Sequence, residues 1–330
     1  MGKRIPITIR GVGAYVPERV VLNEELSAFC DVTDEWVRVR TGIRERRIAR
    51  EDENSMTMAY EASVDALQDA GMDASEIDLI IIATSTPLTL LPSTACFLQH
   101  RLGCRPIPAF DLSAACSGFV YGVITAAHMM IGAGYKNALI LGSEKMSTVS
   151  NYEDRASGIL LGDGAGAAIL TVADNDEAGI YHHEMAAEGE GAEFVWIPAG
   201  GSLMPPSEKT VAENLHTLKM NGREVYKYVV QKMQEVVERT LDKGGISMDE
   251  LTLIVPHQSN LRIIESVMEK LSIPSEKMAV NIDRYGNTSA ASVPLALHEA
   301  WREGRVKRGD WVLLAGFGGG MTWASALVKV

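Results

Sequence analysis

The chain has 330 residues, of which 46% are hydrophobic and 22% are charged, and this composition is typical of a globular protein with a large core. Its formal net charge of -12 argues against a nucleic acid as partner, because binding to a phosphate backbone requires clustered positive charge. The four cysteines show no CxxC pair and no metal-ligand spacing, so we expect reduced thiols in a cytoplasmic protein and predict no metal site.

The first third of the chain alternates between strand and helix patterns. The N-terminus lacks an apolar signal core, and no run reaches the roughly 18 apolar residues of a membrane span, so we expect no association with a membrane. Thr33 is a predicted N-cap, followed by acidic residues in the first turn of a short helix that ends near Arg40. The remaining predicted elements are a strand over 7–12, a helix over 56–70 that stops at Gly71, a strand over 79–83, a loop over 87–92 and a helix over 93–102.

Cys116 lies at a turn between a predicted strand and a predicted helix. Residues 107–112 are apolar enough for a buried strand, and the residues after Gly118 are apolar on nearly every face, as in a central helix. The free N–H groups and the dipole at a helix start favour a thiolate, which is the nucleophilic form of cysteine. The same position also suits a small apolar residue that fills a tight corner, so this segment alone leaves both interpretations open.

The middle of the chain contains the predicted junction between two halves. A strand is predicted over 138–142, and a pair of strands around 160–172. We place the junction at the polar residues 174–177. The Pro, Gly and Ser content of 198–215 predicts an exposed insertion, which we interpret as a candidate lid over a site.

The second half of the chain repeats the order of the first. Five residues recur 174 positions further on, so that Leu67, Gly71, Glu76, Leu79 and Ile80 correspond to Leu241, Gly245, Glu250, Leu253 and Ile254. A spacing that is held through helix, turn and strand predicts two similar α/β halves, 1–175 and 176–330, each with a buried sheet covered by helices.

Two polar residues of the second half follow predicted strands. His257 comes after a strand over 251–255, and Asn287 comes after a strand over 278–282. Ligands of open α/β sheets bind at the carboxyl ends of the strands, where Cys116 is also predicted to lie. Either residue alone is also explained as an ordinary turn residue, and only the duplication argues for bringing all three to one site.

Five separated segments of this sequence resemble the β-ketoacyl-acyl carrier protein synthase III family. They are Ala114-Ala115-Cys116-Ser117-Gly118, Pro256 to Arg262, Tyr285 to Ser292, Thr33 to Arg46 and Gly316 to Trp323. The likeness covers nearly the whole chain. It implies a thiolase-like α/β fold of two pseudo-repeated halves in five layers, α-β-α-β-α. It also implies a homodimer whose substrates are acyl-CoA and an acyl carrier protein and which needs no cofactor.

The resemblance also implies a role for each candidate catalytic residue. The Cys116 thiolate would attack an acyl-CoA, with the N–H groups of Cys116 and Gly319 as the oxyanion hole. Malonyl-acyl carrier protein would then lose CO2, and His257 and Asn287 would donate hydrogen bonds to the enolate. By spacing alone Asn287 is equally suited to orienting His257, as an asparagine does in papain-like proteases, and the resemblance decides against that.

Substrate-binding residues are carried over from the same family. Trp36, Arg40 and Arg155 match the residues that bind CoA, since a tryptophan face stacks on adenine and guanidinium groups meet phosphate. Arg262 matches the arginine that docks the acidic carrier protein, and Lys227 and Arg223 are further candidates. Each of these residues is also explained as an ordinary surface residue or, for Trp36, as a half-buried helix anchor.

The sequence departs from the family pattern at the end of the acyl pocket. Leu91 replaces the phenylalanine of many bacterial relatives, and a smaller side chain would favour branched or longer starters.

The sequence leaves open the natural starter and the pathway. A secondary-metabolism relative of polyketide or quinolone type would use another acceptor. A Cys-His-Asn hydrolase would share the three residues but would not accumulate an acyl-enzyme. A non-catalytic scaffold subunit of this fold would lack the nucleophile.

Overall fold

The computed structural model describes residues 4–330. The strands in this range are β1 (Ile7–Tyr15), β2 (Val20–Leu22), β3 (Glu45–Arg47), β4 (Leu79–Ala83), β5 (Ala109–Leu112), β6 (Asn137–Lys145), β7 (Asp163–Val172), β8 (Gly179–Ala187), β9 (Val195–Trp196), β10 (Lys219–Met220), β11 (Leu253–Pro256), β12 (Trp311–Gly318) and β13 (Thr322–Lys329). The helices are α1 (Asn23–Leu26), α2 (Asp34–Thr41), α3 (Ser55–Ala70), α4 (Thr94–Leu102), α5 (Gly118–Ala133), α6 (Glu208–Ala212), α7 (Gly222–Gly244), α8 (Leu261–Leu271), α9 (Ile282–Tyr285) and α10 (Ser292–Arg302).

Two sheets with the same strand order form the frame of the molecule. The first runs β1-β7-β6-β4-β5, and the second runs β8-β13-β12-β11. In both, the first two pairings are antiparallel and the third is parallel. The position of β5 is taken in the second sheet by a single parallel bridge between Met278 and Ile254. The prediction of a strand over 278–282 is therefore wrong beyond Met278. The backbone N–H of Asn281 donates to the side chain of Gln258 and not to a neighbouring strand, and α9 begins at Ile282.

Five layers follow from the packing of helices on these sheets. Helices α5 and α10 lie between the two sheets, α3 and α4 cover the outer face of the first, and α7 and α8 cover the second. Within the described range, one helical stretch, Ala115–Ala133, is long and apolar enough to cross a membrane, but more than half of its most apolar part is buried inside the protein. Its apolar surface faces both sheets, as its all-round hydrophobicity predicts.

The repeat seen in the sequence holds in three dimensions. Helices α3 and α7 both end at a glycine in the left-handed conformation, Gly71 with φ 63° and Gly245 with φ 76°. The strand after each begins 174 residues apart in the two halves, at Leu79 and Leu253. The predicted junction at 174–177 lies between β7 and β8.

Two further expectations differ from the structure. The pair of strands predicted around 160–172 is the single strand β7, preceded by a bridge between Leu161 and Asn287. The insertion 198–215 contains α6 and does not line the main cavity among the described residues. The cavity is lined instead by residues on both sides of it, from Val195 to Ile197 and at Leu218 and Met220.

Candidate active site

One cavity of about 560 Å³ receives residues from both halves. Its wall is mainly apolar, with contributions from Ile159, Leu160 and Phe317. Seven of the residues predicted for the site line it: Trp36, Arg40, Cys116, Arg155, His257, Asn287 and Gly319.

Cys116 lies in a short 3-10 turn, Ala115–Ser117, between β5 and α5. The turn passes so close to β12 that a Cβ on Gly318 would lie 2.7 Å from the Cys116 backbone nitrogen. Burial raises the pKa of the Cys116 thiol to about 11, and the carboxyl group of Glu144 adds to the effect. Burial therefore favours the protonated thiol at rest, because it removes the anion from water, and the thiolate expected from the helix start stays a prediction.

His257 follows β11, and its ring is oriented by Ser292. The backbone N–H of His257 donates to Ala315 on β12, and Nδ1 lies 2.7 Å from Ser292 Oγ. Burial lowers the pKa of His257 to about 3, so the imidazole is neutral. Ser292 Oγ also accepts the backbone N–H of Gln258 at 3.3 Å. Among the described residues its hydroxyl finds no acceptor other than Nδ1, which leaves the ring proton on Nε2 as a donor.

The backbone N–H and the backbone carbonyl of Asn287 are both hydrogen-bonded to the first half of the chain. Its N–H donates to Leu160 O at 2.7 Å, and its carbonyl accepts the N–H of Gly162 at 3.1 Å. The side-chain Oδ1 accepts the backbone N–H of Ser289 at 2.9 Å. This bond fixes the orientation of the side-chain amide, because only its oxygen accepts a hydrogen bond. The NH2 group of Asn287 is therefore available to donate to a ligand.

Gly319 lies in a loop that is tied to the turn carrying the nucleophile. A Cβ on Gly319 would meet Val195 O at 2.6 Å, so the loop packs closely against β9. The Thr322 hydroxyl lies 3.2 Å from Gly319 O and 3.1 Å from Ala114 O. Ser117 Oγ bonds both Ala114 O and Thr322 Oγ1, at 2.7 and 2.9 Å. These bonds set the spacing between the Gly319 loop and Cys116.

Trp36 lies at the cavity wall, and two arginines lie near its ring. The guanidinium carbon of Arg40 is 4.2 Å from the ring centroid, and that of Arg155 is 5.8 Å away. Both arginine side chains are exposed. The group is therefore an aromatic face with two cations, which fits the predicted chemistry for a base and phosphates.

The three predicted docking residues do not line the cavity but stand next to residues that do. Arg223 follows Gly222, and Lys227 follows Tyr226 at the start of α7. Arg262 lies in the first turn of α8, between the cavity-lining residues Asn260 and Ile263. All three are exposed, so three cations lie next to cavity-lining residues in an otherwise acidic protein, and we call this side of the cavity its entrance.

Leu91 is not part of the cavity of its own chain. Its side chain is 86% exposed, and that of Leu90 is 90% exposed. Both belong to the segment that leaves β4, where Glu144 binds the backbone N–H groups of Ser85 and Thr86 and turns the chain outward.

Sequence reasoning missed several groups that hold the site together. Glu144 is fully buried and also accepts the Thr86 hydroxyl at 2.6 Å. Arg46 is fully buried and donates to Ile159 O at 2.9 Å beside the cavity. Burying a charged residue costs free energy unless it is hydrogen-bonded or paired. A charged residue next to an apolar run, as Glu144 is after 138–142, is therefore the sequence signal that could have identified such a group. Ser292 and Ser289 carried no such signal.

Two stacked sheets around a pair of central helices, with Cys, His and Asn in a seam between related halves, define a thiolase-fold condensing enzyme. Family models described as 3-oxoacyl-[acyl-carrier-protein] synthase III match residues 110–189 and, for its C-terminal part, residues 241–330. The chain belongs to the 3-oxoacyl-[acyl-carrier-protein] synthase III family.

Curated relatives and solved structures agree with this assignment. The chain is 44% identical to beta-ketoacyl-[acyl-carrier-protein] synthase III of Desulfitobacterium hafniense strain Y51, over 98% of both chains. It is 46% identical to the enzyme of that name in Clostridioides difficile strain 630, over 97% of both. The crystal structure of the Aquifex aeolicus VF5 synthase III superposes with a TM-score of 0.91 at 44% identity, covering 98% of this chain and 100% of that one. The predicted family, fold and condensing acyltransferase activity are confirmed.

Proposed function

We propose that Cys116, His257 and Asn287 together carry out a decarboxylating condensation of an acyl-CoA starter with malonyl-acyl carrier protein, which initiates fatty acid synthesis. The observation that supports this most directly is that all three side chains line one largely apolar cavity. Their surroundings suit two half-reactions, a transfer of the acyl group and a loss of CO2.

In the first half-reaction, the sulfur of Cys116 attacks the thioester carbonyl of the acyl-CoA. A carbon–sulfur bond forms to Cys116, the bond to the CoA sulfur breaks, and the thiol proton ends on the departing CoA. The N–H groups of Cys116 and Gly319 are the donors for the oxygen that becomes negative in between. Because the resting group is a thiol with a raised pKa, proton loss accompanies the attack and does not precede it.

In the second half-reaction, malonyl-acyl carrier protein enters the same cavity. The Nε2–H of His257 and the NH2 group of Asn287 donate to its thioester carbonyl while the carboxylate leaves as CO2. The resulting enolate carbon attacks the acyl group on Cys116, a carbon–carbon bond forms, the bond from the acyl carbon to the cysteine sulfur breaks, and the released sulfur takes a proton from water. Both donors are neutral, so they stabilise the enolate oxygen without transferring a proton to it.

Substrate delivery uses the entrance described above. Trp36, Arg40 and Arg155 bind the nucleotide of CoA, and Arg262, Lys227 and Arg223 bind the acidic carrier protein. Charge at this position speeds encounter with an acidic partner, although the net charge of the chain is negative. No cofactor takes part in the proposed reaction, and the proposed location is the cytoplasm.

The working enzyme is proposed to be a homodimer joined at the free edge of β5. That edge is apolar and half-buried, with Phe110 and Leu112, and the nearby Leu90, Leu91 and Phe97 are exposed. Unpaired edge strands and clustered apolar side chains favour association with a second copy. Leu91 would then reach the acyl pocket of the partner subunit and not its own.

The test separates the half-reactions. The protein is incubated with a panel of straight and branched acyl-CoA molecules from two carbons upward, and acylation of Cys116 is followed by intact mass. Malonyl-acyl carrier protein is then added, and CO2 and β-ketoacyl product are measured. A stable acyl-enzyme that turns over only with malonyl-acyl carrier protein supports the proposal. Hydrolysis of acyl-CoA without acyl-enzyme accumulation would refute it in favour of a hydrolase.

A second candidate differs in pathway and not in chemistry. The chain has a TM-score of 0.91 and 34% identity to the priming β-ketosynthase of the R1128 polyketide pathway, covering 99% of this chain and 97% of that one. A priming role in specialised metabolism would use the same three residues with another starter or acceptor. Preference in the panel for a carrier protein other than that of fatty acid synthesis would favour this candidate.

A further inference from the structure

A single carboxylate, Glu299 on α10, gathers the side chains of the turn that precedes Asn287. Its Oε1 accepts Arg284 Nη1 at 2.8 Å and the Tyr285 hydroxyl at 2.7 Å. Its Oε2 accepts Arg284 Nη2 at 3.0 Å and Asn281 Nδ2 at 2.9 Å. Every lone-pair direction of the carboxylate is therefore used, and the pair with the guanidinium is bidentate.

Asn287 follows this turn directly, with only Gly286 between Tyr285 and Asn287. The chain turns at Gly286, which has φ 64° and where a Cβ would lie 2.7 Å from Leu160 O. Asn287 follows at once and is bonded to Leu160 and Gly162 of the first half. Its amide is thus positioned by the first half of the chain on one side and by the Glu299 network on the other.

The same turn is connected to the segment that carries His257. The backbone N–H of Asn281 donates to Oε1 of the fully buried Gln258 at 3.0 Å, and Gln258 is the next residue after His257. Helix α10 also provides Ser292, which bonds His257 Nδ1. One helix therefore orients both side chains that are proposed to donate to the malonyl carbonyl.

We infer that Glu299 is a positioning residue for the decarboxylation half-reaction, acting through the Asn281 to Tyr285 turn on the amide of Asn287. The inference rests on the proposed function, because it assigns Asn287 to the malonyl carbonyl. Glu299 does not line the cavity, and the turn that carries Cys116 is held by bonds around Ser117 and Thr322 that do not involve the Asn281 to Tyr285 turn. Disturbing Glu299 should therefore affect loss of CO2 and spare acyl transfer.

Replacing the Glu299 carboxylate with the neutral amide of glutamine tests the network directly. In Glu299→Gln one acceptor oxygen becomes an NH2 donor that faces donors of Arg284 and Tyr285 or Asn281, so two of the four bonds are lost. Tyr285→Phe removes only the hydroxyl bond and keeps the ring. Glu303→Gln is the matched control, because Glu303 follows the same helix, is 56% exposed and lies 3.9 Å from Arg305.

The experiment measures three quantities for each variant: Cys116 acylation by intact mass, CO2 release from malonyl-acyl carrier protein, and the melting temperature. For Glu299→Gln we expect kcat for CO2 release to fall about tenfold, with KM and the acylation rate within about twofold of the parent, because sub-ångström misplacement of a donor slows only the step that uses it. Tyr285→Phe should show a smaller fall of the same selectivity, and Glu303→Gln should show none.

An equal loss in both half-reactions, tracking the melting temperature, would assign Glu299 a purely structural role and overturn the inference. Unchanged CO2 release in both Glu299→Gln and Tyr285→Phe would also overturn it. If Glu299→Gln does not fold, the selectivity of Tyr285→Phe decides. A parent protein that neither acylates nor releases CO2 would refute the proposed function, whereas insensitive variants of an active parent refute the role of Glu299 alone.

Discussion

Ser292 Oγ lies 2.7 Å from Nδ1 of His257 and fixes the side of the imidazole that carries the proton. The hydroxyl accepts the N–H of Gln258, and its hydrogen is best satisfied on Nδ1. The proton of the neutral ring then stays on Nε2, the nitrogen that serves as donor in the proposed decarboxylation. A buried serine thus decides whether His257 offers a donor or an acceptor to the substrate.

Ser292→Ala should leave His257 free to populate both tautomers. We expect CO2 release to slow by about tenfold, less than the roughly hundredfold loss of a whole oxyanion donor, because part of the population keeps the proton on Nε2. The check combines the decarboxylation rate with 15N NMR of labelled histidine, which distinguishes the tautomers. Ser292→Thr retains the hydroxyl and should restore the parent tautomer; a spectrum that is the same in the alanine variant would contradict this role.

Asn287→Ala should separate the two half-reactions. The variant loses the NH2 donor for the malonyl carbonyl, so we expect CO2 release to fall by about a hundredfold or more. Acylation of Cys116 should change by less than about threefold, since the backbone bonds of Asn287 to Leu160 and Gly162 remain and keep its segment in place. Intact mass and CO2 assays on one preparation give both values, and similar slowing of the two would contradict the assigned role.

The reactivity of Cys116 should depend steeply on pH. Burial raises the pKa of this thiol to about 11, so its thiolate fraction grows about tenfold per pH unit from pH 7 to about 10. Alkylation of Cys116 by iodoacetamide, measured by peptide mass, should follow that slope without a plateau. In the denatured chain the rate should be half-maximal at the ordinary thiol pKa of about 8.5 and level off above it. Cys116→Ser removes the signal and should abolish condensation. A plateau at or below pH 7 would restore the thiolate expected from the helix start.

The same linkage makes folding less favourable in alkali. The folded state keeps the Cys116 proton up to about pH 11, while the unfolded chain releases it near pH 8.5. The contribution of Cys116 to the free energy of unfolding is therefore complete below about pH 8.5 and declines as the pH rises towards 11. Cys116→Ala should remove this part of the decline in urea melts at pH 8 to 10. Identical pH slopes for the parent and the variant would contradict the raised pKa.

Local patterns were sufficient for some elements and insufficient for others. The predicted bounds of β4 are correct, because Leu79 to Ala83 is a continuous apolar run that is fully buried between two parallel neighbours, β5 and β6. The run over 278–282 looks alike, but Asn281 is recruited by Gln258 and Glu299, which lie 23 and 18 residues away in sequence. A contact of this kind exists only after folding, so no short window contains it.

The candidate site shows the same division between local and long-range information. Cys116, His257 and Asn287 were identified from their motifs, and all three line one cavity. Their protonation is not predictable from the motifs, because the largest effect on the pKa of Cys116 is burial, which depends on the folded chain around it. The motif predicts Leu91 in the acyl pocket, yet its side chain is exposed and does not line the cavity of its own chain. Only the three-dimensional course of 84–91 reveals that.

Leu91 provides a test of the proposed dimer and of starter selection together. If Leu91 closes the acyl pocket of the partner subunit, Leu91→Phe should shift the preferred acyl chain towards fewer carbons, because the larger ring shortens that pocket. Leu91→Asp should weaken the dimer, since it buries an unpaired charge at the interface, and should lower activity in proportion to dissociation. The acyl-CoA panel and light scattering at several protein concentrations give both readouts, with Leu203→Asp as the control at another exposed leucine. A Leu91→Phe enzyme with the parent chain profile, or a Leu91→Asp protein that matches the parent in mass and activity, would place this side chain outside both the interface and the pocket.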